Sequence, residues 1–381
     1  MHALAARRGV SETPLGRSGS RVICSPGMIL ALETSCDDAC AALVADGHRV
    51  LAEARASLED DLASWGGVVP EIAARGHIAA LPGLVERVLA EAGVGLAAVT
   101  GVAVAAWPGL AGSLASGVTA AKAISLRRNL PLTAVDHIAA HLAAVHLGRP
   151  GVAYPFVGLV ASGGHSHIYL ARAPGRLDLL GGTIDDAAGE AFDKAAQILG
   201  LPYPGGPQID RLAAQGDPAA VALPRSFLHD ASLRMSFAGL KTALLYHARG
   251  PLGRDPLRLS GQAINDACAS FQAAVVDVLA GKLAQAARAH GVRAIAVGGG
   301  VACNRALRVR LADLAGREGW TLLLPETRHC ADNAAMVGAL GWFQLQAGDV
   351  AGADLAPLPT GVMGPRRRGV DAGKQHPDSR S

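Results

Sequence analysis

The chain carries an internal echo, and that echo limits its fold more than any other feature. From Met28 the text ILALETSCDDACAALVADGHRVLAEAR sets two apolar or alternating runs around a short polar turn, the pattern of a β-hairpin. From Phe156 the run VGLVASGGHSHIYLA repeats the pattern, with Ser162, Gly163 and Gly164 in the turn. Each hairpin has a companion further along that reads as strand, glycine-rich turn and helix: GVAVAAWPGLAGSLASGVTAAKAIS from Gly101, and AIAVGGGVACNRALRVRLADLA from Ala294. Two such units predict facing α/β lobes, each lending a hairpin turn and a helix N-terminus to one cleft. Backbone N–H groups at those places can hold phosphates.

That is the architecture of the two-lobed actin-like ATPase (ASKHA) fold, with duplicated α/β lobes around a nucleotide cleft. At 381 residues, half of them hydrophobic, the chain is long enough for two cores. The expected division is an N-terminal α/β lobe over 28–150 and a C-terminal α/β lobe over 151–358. Helical periodicity near residues 78, 185 and 265 supplies the helices, partly as insertions in the second lobe. Residues 1–27 are expected to be a disordered basic extension, read either as a start placed upstream of Met28 or as a transit peptide. Residues 359–381, with Arg366, Arg367 and Arg368, are expected to be a disordered tail. The net charge of +3 identifies no nucleic-acid partner and excludes none. Six cysteines without a C-x-x-C pair argue against a zinc ribbon or a disulfide framework, and no apolar run reaches the length of a membrane span. A cytoplasmic protein with no membrane partner is expected.

Several short segments can carry chemistry. In DHIAAH, His137 and His141 stand four apart on a predicted helix, so both rings leave one face at a spacing that allows a shared metal ion. The same spacing also suits plain packing, and the glutamate of H-E-x-x-H is missing, which removes a zincin protease. Asp332 and Asn333 precede a helix-like run, where an aspartate often serves merely as an N-cap. Glu33, Asp37 and Asp38 crowd the first hairpin turn, and a carboxylate there could orient or deprotonate an amine. Cys36 beside them reads as a buried thiol rather than a nucleophile. Asp193, Gly205, Gly206 and Asp210 lie in and after a helix where the chain turns tightly; the acids could hold ribose hydroxyls, or Asp193 could pair with Lys194.

Taken together, ALETSCDDA, GGVVPEIAARGH, PGLAGSLASG, DHIAAH, VASGGHSH, DDAAGEAFDKAAQILGLPYPGGP, MSFAGLKTAL, GGGVACNRALR and HCADNAAM resemble, in order, the TsaD family of tRNA threonylcarbamoyladenosine transferases. The resemblance implies one divalent metal ion per subunit, iron or zinc, on His137, His141 and Asp332. It implies nucleotide contacts at Val160, Ala161, Ser162, Gly163, Gly164, Asp193, Gly206, Asp210 and Asn304. It further implies a reaction in which threonylcarbamoyl-AMP gives its acyl group to N6 of the tRNA adenosine beside the anticodon, in tRNAs reading codons that begin with A. Asp37 and Asp38 are then the candidates for handling the amine. A TsaB-like paralogue and a TsaE-like ATPase are the implied partners, with the anticodon loop of tRNA. The sequence departs from the family pattern at Ala39, Ser166 and His167, and Cys303 beside Asn304 is unusual.

Overall fold

A computed structural model describes residues 27–57 and 69–359. The expectations for the basic extension and for the arginine-bearing tail fall almost wholly outside the described residues, as does the start of the GGVVPEIAARGH motif.

The first sheet begins with three antiparallel strands, β1 (Met28–Glu33), β2 (Asp38–Ala45) and β3 (Arg49–Ser57). Between β2 and β3 the chain turns at Asp46 and Gly47, both at positive φ (56° and 71°), the Asp-Gly pairing that tight hairpins favour. Two parallel strands follow, β4 (Gly101–Trp107) and β5 (Leu132–Asp136), giving the order β3-β2-β1-β4-β5. Side chains alternate across this sheet. Leu30, Leu32, Ala41, Leu43, Val102 and Val104 face α1 (Pro70–Glu91) and α2 (Ala111–Arg128). Ile29, Ala31, Ala42, Val44, Ala103 and Ala105 face the other way, so both faces are dry and the strands read as continuous apolar runs.

The next helix, α3 (His137–Ala143), leads to a second sheet of the same plan. Strands β6 (Phe156–Ala161), β7 (Ser166–Ala173) and β8 (Arg176–Gly182) are antiparallel. After them come α4 (Ala188–Ile198), α5 (Gly205–Ala213), α6 (Ala238–Arg249) and the long α7 (Gln262–His290). Then β9 (Ala294–Gly298), α8 (Arg305–Glu318) and β10 (Thr321–Leu323) complete the order β10-β9-β6-β7-β8. The duplication is therefore strand for strand: hairpin, third strand, then two parallel additions. Against the expectation that no apolar run reaches spanning length, helix α7 is long and apolar enough to cross a membrane, but 83% of its most apolar window is buried within the protein, where Phe271, Val275, Leu279 and Leu283 join the core of the second lobe.

The last helix, α9 (Ala334–Gln346), does not stay with its neighbours in sequence. It packs over the first sheet, with Met336, Val337 and Leu340 among Ile29, Ala31, Val44 and Ala103. A division at residue 150 thus assigns to the second lobe a helix that covers the first. The segment beyond it follows α9: the Ala351 and Leu358 N–H groups bond to the carbonyls of Leu132 and Ala106. Helix α3 lies between the lobes. Its Ala139, Ala140 and Ala143 meet α9, while Ile138 and Leu142 meet Phe156, Val160 and Ala296 of the second sheet.

Candidate active site

Helix α3 starts where β5 ends, and Asp136 caps it: its Oδ1 accepts from the N–H groups of Ile138 (2.8 Å) and Ala139 (3.2 Å). The cap sets His137 in the first turn and His141 one turn on, both buried, with ring centroids 4.6 Å apart. Asp332 arrives from the loop before α9. One ligand atom from each of the three lies within 4.8 Å of the others, and Asp332 Oδ1 is 3.5 Å from His137 Nε2 and 3.3 Å from His141 Nε2. The plain capping role that the sequence allowed Asp332 falls instead to its neighbour. Asn333 is the cap, its Oδ1 accepting the Met336 N–H at 2.8 Å, and this leaves the Asp332 carboxylate to face the histidines.

Glu33 completes the arrangement. It is almost fully buried; its Oε2 is 2.9 Å from His137 Nδ1, and its Oε1 accepts the Ser35 N–H at 2.5 Å. A carboxylate on Nδ1 fixes that nitrogen as the protonated one and turns Nε2 toward Asp332. Burial opposes a charge on His137, but Glu33 and Asp332 overcome it and hold the ring up to about 9. Burial also opposes charge on Asp332, yet the two histidines keep its carboxyl well below the usual range. Burial keeps His141 below its ordinary value even though Asp332 Oδ1 stands 3.3 Å from its Nε2, and its buried Nδ1 has no hydrogen-bond partner among the described residues. A buried imidazole converging with a second histidine and a carboxylate is a donor set that fits a divalent ion such as Fe²⁺ or Zn²⁺.

The hairpin turn of the first lobe is pressed onto α2. A Cβ on Gly109 would sit 2.5 Å from the Ser35 carbonyl oxygen, and one on Gly117 would sit 2.4 Å from Thr34 Oγ1, so both glycines permit the contact. Of the two acids there, Asp38 opens β2 with Oδ2 at 3.4 Å from Arg55, and its buried Oδ1 has no hydrogen-bond partner among the described residues. Burial pushes its carboxyl up to about 6, against the pull of Arg55. Asp37 lies in the turn itself. Burial and Asp37 raise the Cys36 thiol far above its ordinary value, which is unsuited to a nucleophile; the histidine that the fold brings here, His77, meets the Cys36 carbonyl at 2.9 Å.

In the second lobe, Val160 and Ala161 end β6 and are buried. The turn at Ser162–Gly164 is closed by Ser162: its N–H donates to the His165 carbonyl (2.8 Å) and its Oγ accepts from the His165 N–H (3.2 Å). Gly163 and Gly164 face open space, with nothing among the described residues within 4 Å of where a side chain would begin. Next to this turn, a Cβ on Gly299 (φ 90°) would meet the Ala161 oxygen at 2.3 Å, and one on Gly298 would meet the His141 oxygen at 2.3 Å. The glycine turn after β9 therefore touches the end of β6 and the metal-facing helix at once.

Three of the predicted ligand contacts also have structural employment. Asp193 Oδ1 accepts the Gly205 N–H at 2.8 Å, and the Gly206 N–H helps hold its charge, so it caps α5 rather than pairing with Lys194. Lys194 instead reaches Asp186 (2.8 Å) and Glu190 (2.7 Å). Asn304 caps α8 through Leu307 N–H (2.9 Å) and donates to Gln272 Oε1 (2.7 Å). Asp210 Oδ2 accepts from Arg305 Nε (2.7 Å), while its buried Oδ1 has no hydrogen-bond partner among the described residues. Reasoning from the sequence singled out Glu33 only as one of a cluster of acids and passed over the pair His329–Glu53 (3.2 Å), which ties the Asp332 loop to β3. Neither carries a local pattern that spacing alone could reveal.

Comparison with known proteins agrees on one family. The family model described as TsaD, tRNA N6-adenosine threonylcarbamoyltransferase, matches residues 49–339. The tRNA N6-adenosine threonylcarbamoyltransferase of Geobacter sp. (strain M21) is 51% identical over 332 residues, covering 87% of this chain and 95% of its own length. The protein of the same name from Anaeromyxobacter dehalogenans (strain 2CP-C) is 46% identical, covering 87% of this chain and 98% of its own. Among solved structures, HypF of T. kodakarensis superposes with a TM-score of 0.54 at 14% identity, covering 87% of this chain and 49% of that one, a likeness of fold alone.

Proposed function

Because the chain belongs to the TsaD family of tRNA N6-adenosine threonylcarbamoyltransferases, enzymes that make threonylcarbamoyladenosine on tRNA, we propose a division of labour among its own residues. The observation that carries it is the convergence of His137, His141 and Asp332 within 4.8 Å, between the two lobes and beside the glycine turns of the second. These three residues would hold one divalent ion, Fe²⁺ before Zn²⁺, and Glu33 would orient His137 for it. When bound, the ion supplies positive charge against carbamoyl or phosphate oxygens as negative charge builds on them.

Threonylcarbamoyl-AMP would lie along the second lobe. Val160 to Gly164 offer backbone close to its phosphate, and the open space above Gly163 and Gly164 leaves room for it. The unpartnered Oδ1 of Asp210 suits a ribose hydroxyl, with Asp193, Gly206 and Asn304 shaping the same wall. Adenosine N6 then attacks the carbamoyl carbon and AMP leaves. Asp37 and Asp38 lie on the first-lobe side, where the amine would approach. Asp38, raised to about 6, is tuned to take a proton near neutral pH. The anticodon loop, a TsaB-like paralogue and a TsaE-like ATPase are the proposed partners, and the cytoplasm the proposed location.

Transfer of label from threonylcarbamoyl-AMP to a tRNA reading a codon that begins with A, with the two protein partners present, tests the reading. Wild type is expected to label the tRNA, and His141→Ala to lose both bound metal and transfer. Transfer by a His141→Ala protein that is folded and metal-free would overturn the metal assignment.

A further inference from the structure

Two thiols face each other at the edge of this cleft. Cys303 sits at the end of the glycine turn, immediately before Asn304, and its Sγ points to the Thr327 carbonyl at 3.5 Å. Cys330 hangs over the same short turn: its N–H bonds to that Thr327 carbonyl (3.2 Å) and its Sγ to the Glu326 carbonyl (3.5 Å). Both thiols thus gather around one short turn, Cys303 at the Thr327 carbonyl and Cys330 at the carbonyls of Glu326 and Thr327. Arg308 clamps the pair, with Nε on the Ala302 carbonyl (2.6 Å) and Nη2 on Cys330 Sγ (3.1 Å). Cys303 is partly exposed and Cys330 is buried. The two thiols also flank functional positions: one adjoins Asn304, and the other stands two residues before Asp332.

We propose that Cys303 and Cys330 form a reversible disulfide that switches the transferase off. A partly exposed thiol can attack a small disulfide, a nearby cation favours its thiolate, and a second thiol beside it can resolve the mixed disulfide. The oxidant is a low-molecular-weight disulfide such as oxidised glutathione. Cys303 thiolate attacks one of its sulfurs, forming a mixed disulfide and expelling a thiolate. Cys330 sulfur then attacks Cys303 sulfur, its proton passes to solvent or to the second departing thiolate, and the internal disulfide forms. In sum, two protein thiols are oxidised and one small disulfide is reduced to two thiols. A disulfide holds its two sulfurs at about 2.05 Å, so closing it draws the Asn304 turn and the Asp332 loop together and alters the spacing of the site.

The effect on transfer rests on the function proposed above, whereas formation of the disulfide does not, and the test separates them. The metal-loaded wild type, Cys303→Ser and Cys330→Ser are incubated with oxidised glutathione, then digested without reductant and mapped by mass. The expected result is a Cys303–Cys330 cross-linked peptide in wild type only, loss of tRNA labelling in wild type only, and recovery with dithiothreitol. Free thiols or a persistent mixed disulfide in wild type would overturn the proposal, as would a cross-link that leaves labelling unchanged. If reduced wild type labels no tRNA at all, the transferase reading fails, and the peptide map still reports on the disulfide.

Discussion

At the residue scale, what distinguishes His137 from an ordinary buried histidine is the carboxylate behind it. Glu33 is buried with both oxygens engaged, and removing its charge leaves His137 without its fixed tautomer. Glu33→Gln is expected to lower metal affinity by roughly 10- to 100-fold, the usual scale for a residue that orients a ligand, as read by competition with a chelator. His146 shows the opposite case, a histidine in the same stretch with no part in the site. It packs against Phe343 and hydrogen-bonds Tyr154 Oη at 2.8 Å; burial, then His48, lowers it from 6.5 to about 4. A depressed pKa means that the unfolded chain takes the proton first. Stability is therefore intact above pH 6.5 and is lost as pH falls toward 4. The loss attributable to His146 amounts to about 3 kcal/mol at full protonation, and urea melts of wild type and His146→Phe across that range should show the variant with the shallower decline. Spacing could nominate the pair His137 and His141, but it could not distinguish them from His146, because the difference lies in what each ring meets from distant parts of the chain.

At the scale of elements, the site depends on backbones meeting without side chains between them. Gly298 ends β9 against the carbonyl of His141, where a Cβ would lie 2.3 Å from the oxygen and 2.7 Å from its carbon. Those are backbone atoms of a helix held on both sides, so they cannot yield. Gly298→Ala should destabilise the protein by about 3 kcal/mol and weaken metal retention together, measured by urea unfolding and by metal analysis after dialysis. Loss of stability with full metal retention would show that α3 moves as a rigid unit. The hairpins, the strand-turn-helix units and the helix near residue 265 were legible in the sequence, since each is stated by local apolar periodicity and turn residues. The caps were less so. Asp332 and Asn333 are adjacent and equally able to cap α9, and only the position of α3 opposite decides which of them does.

For the whole molecule, the decisive feature is the return of α9 to the first lobe. It covers the sheet face formed by Ile29, Ala31, Ala42, Val44 and Ala103 and brings Asp332 with it. A chain ended after Asn333 keeps every strand of both sheets but uncovers that face. Such a truncation is expected to yield insoluble protein, or protein that binds a hydrophobic dye, with the full-length chain as the comparison. A soluble, native-like product would show that the sheet is covered by other means. By itself the sequence determined the fold class, the duplication, the glycine turns and the family, because those reside in local pattern and in ordered motifs. Tertiary structure alone decided that a helix near the C-terminus completes the first lobe, that Glu33 stands behind His137, and that Cys303 lies beside Cys330. Those facts depend on contacts between residues tens to hundreds of positions apart, and side-chain period along a strand or helix carries no information about which distant segment will cover it.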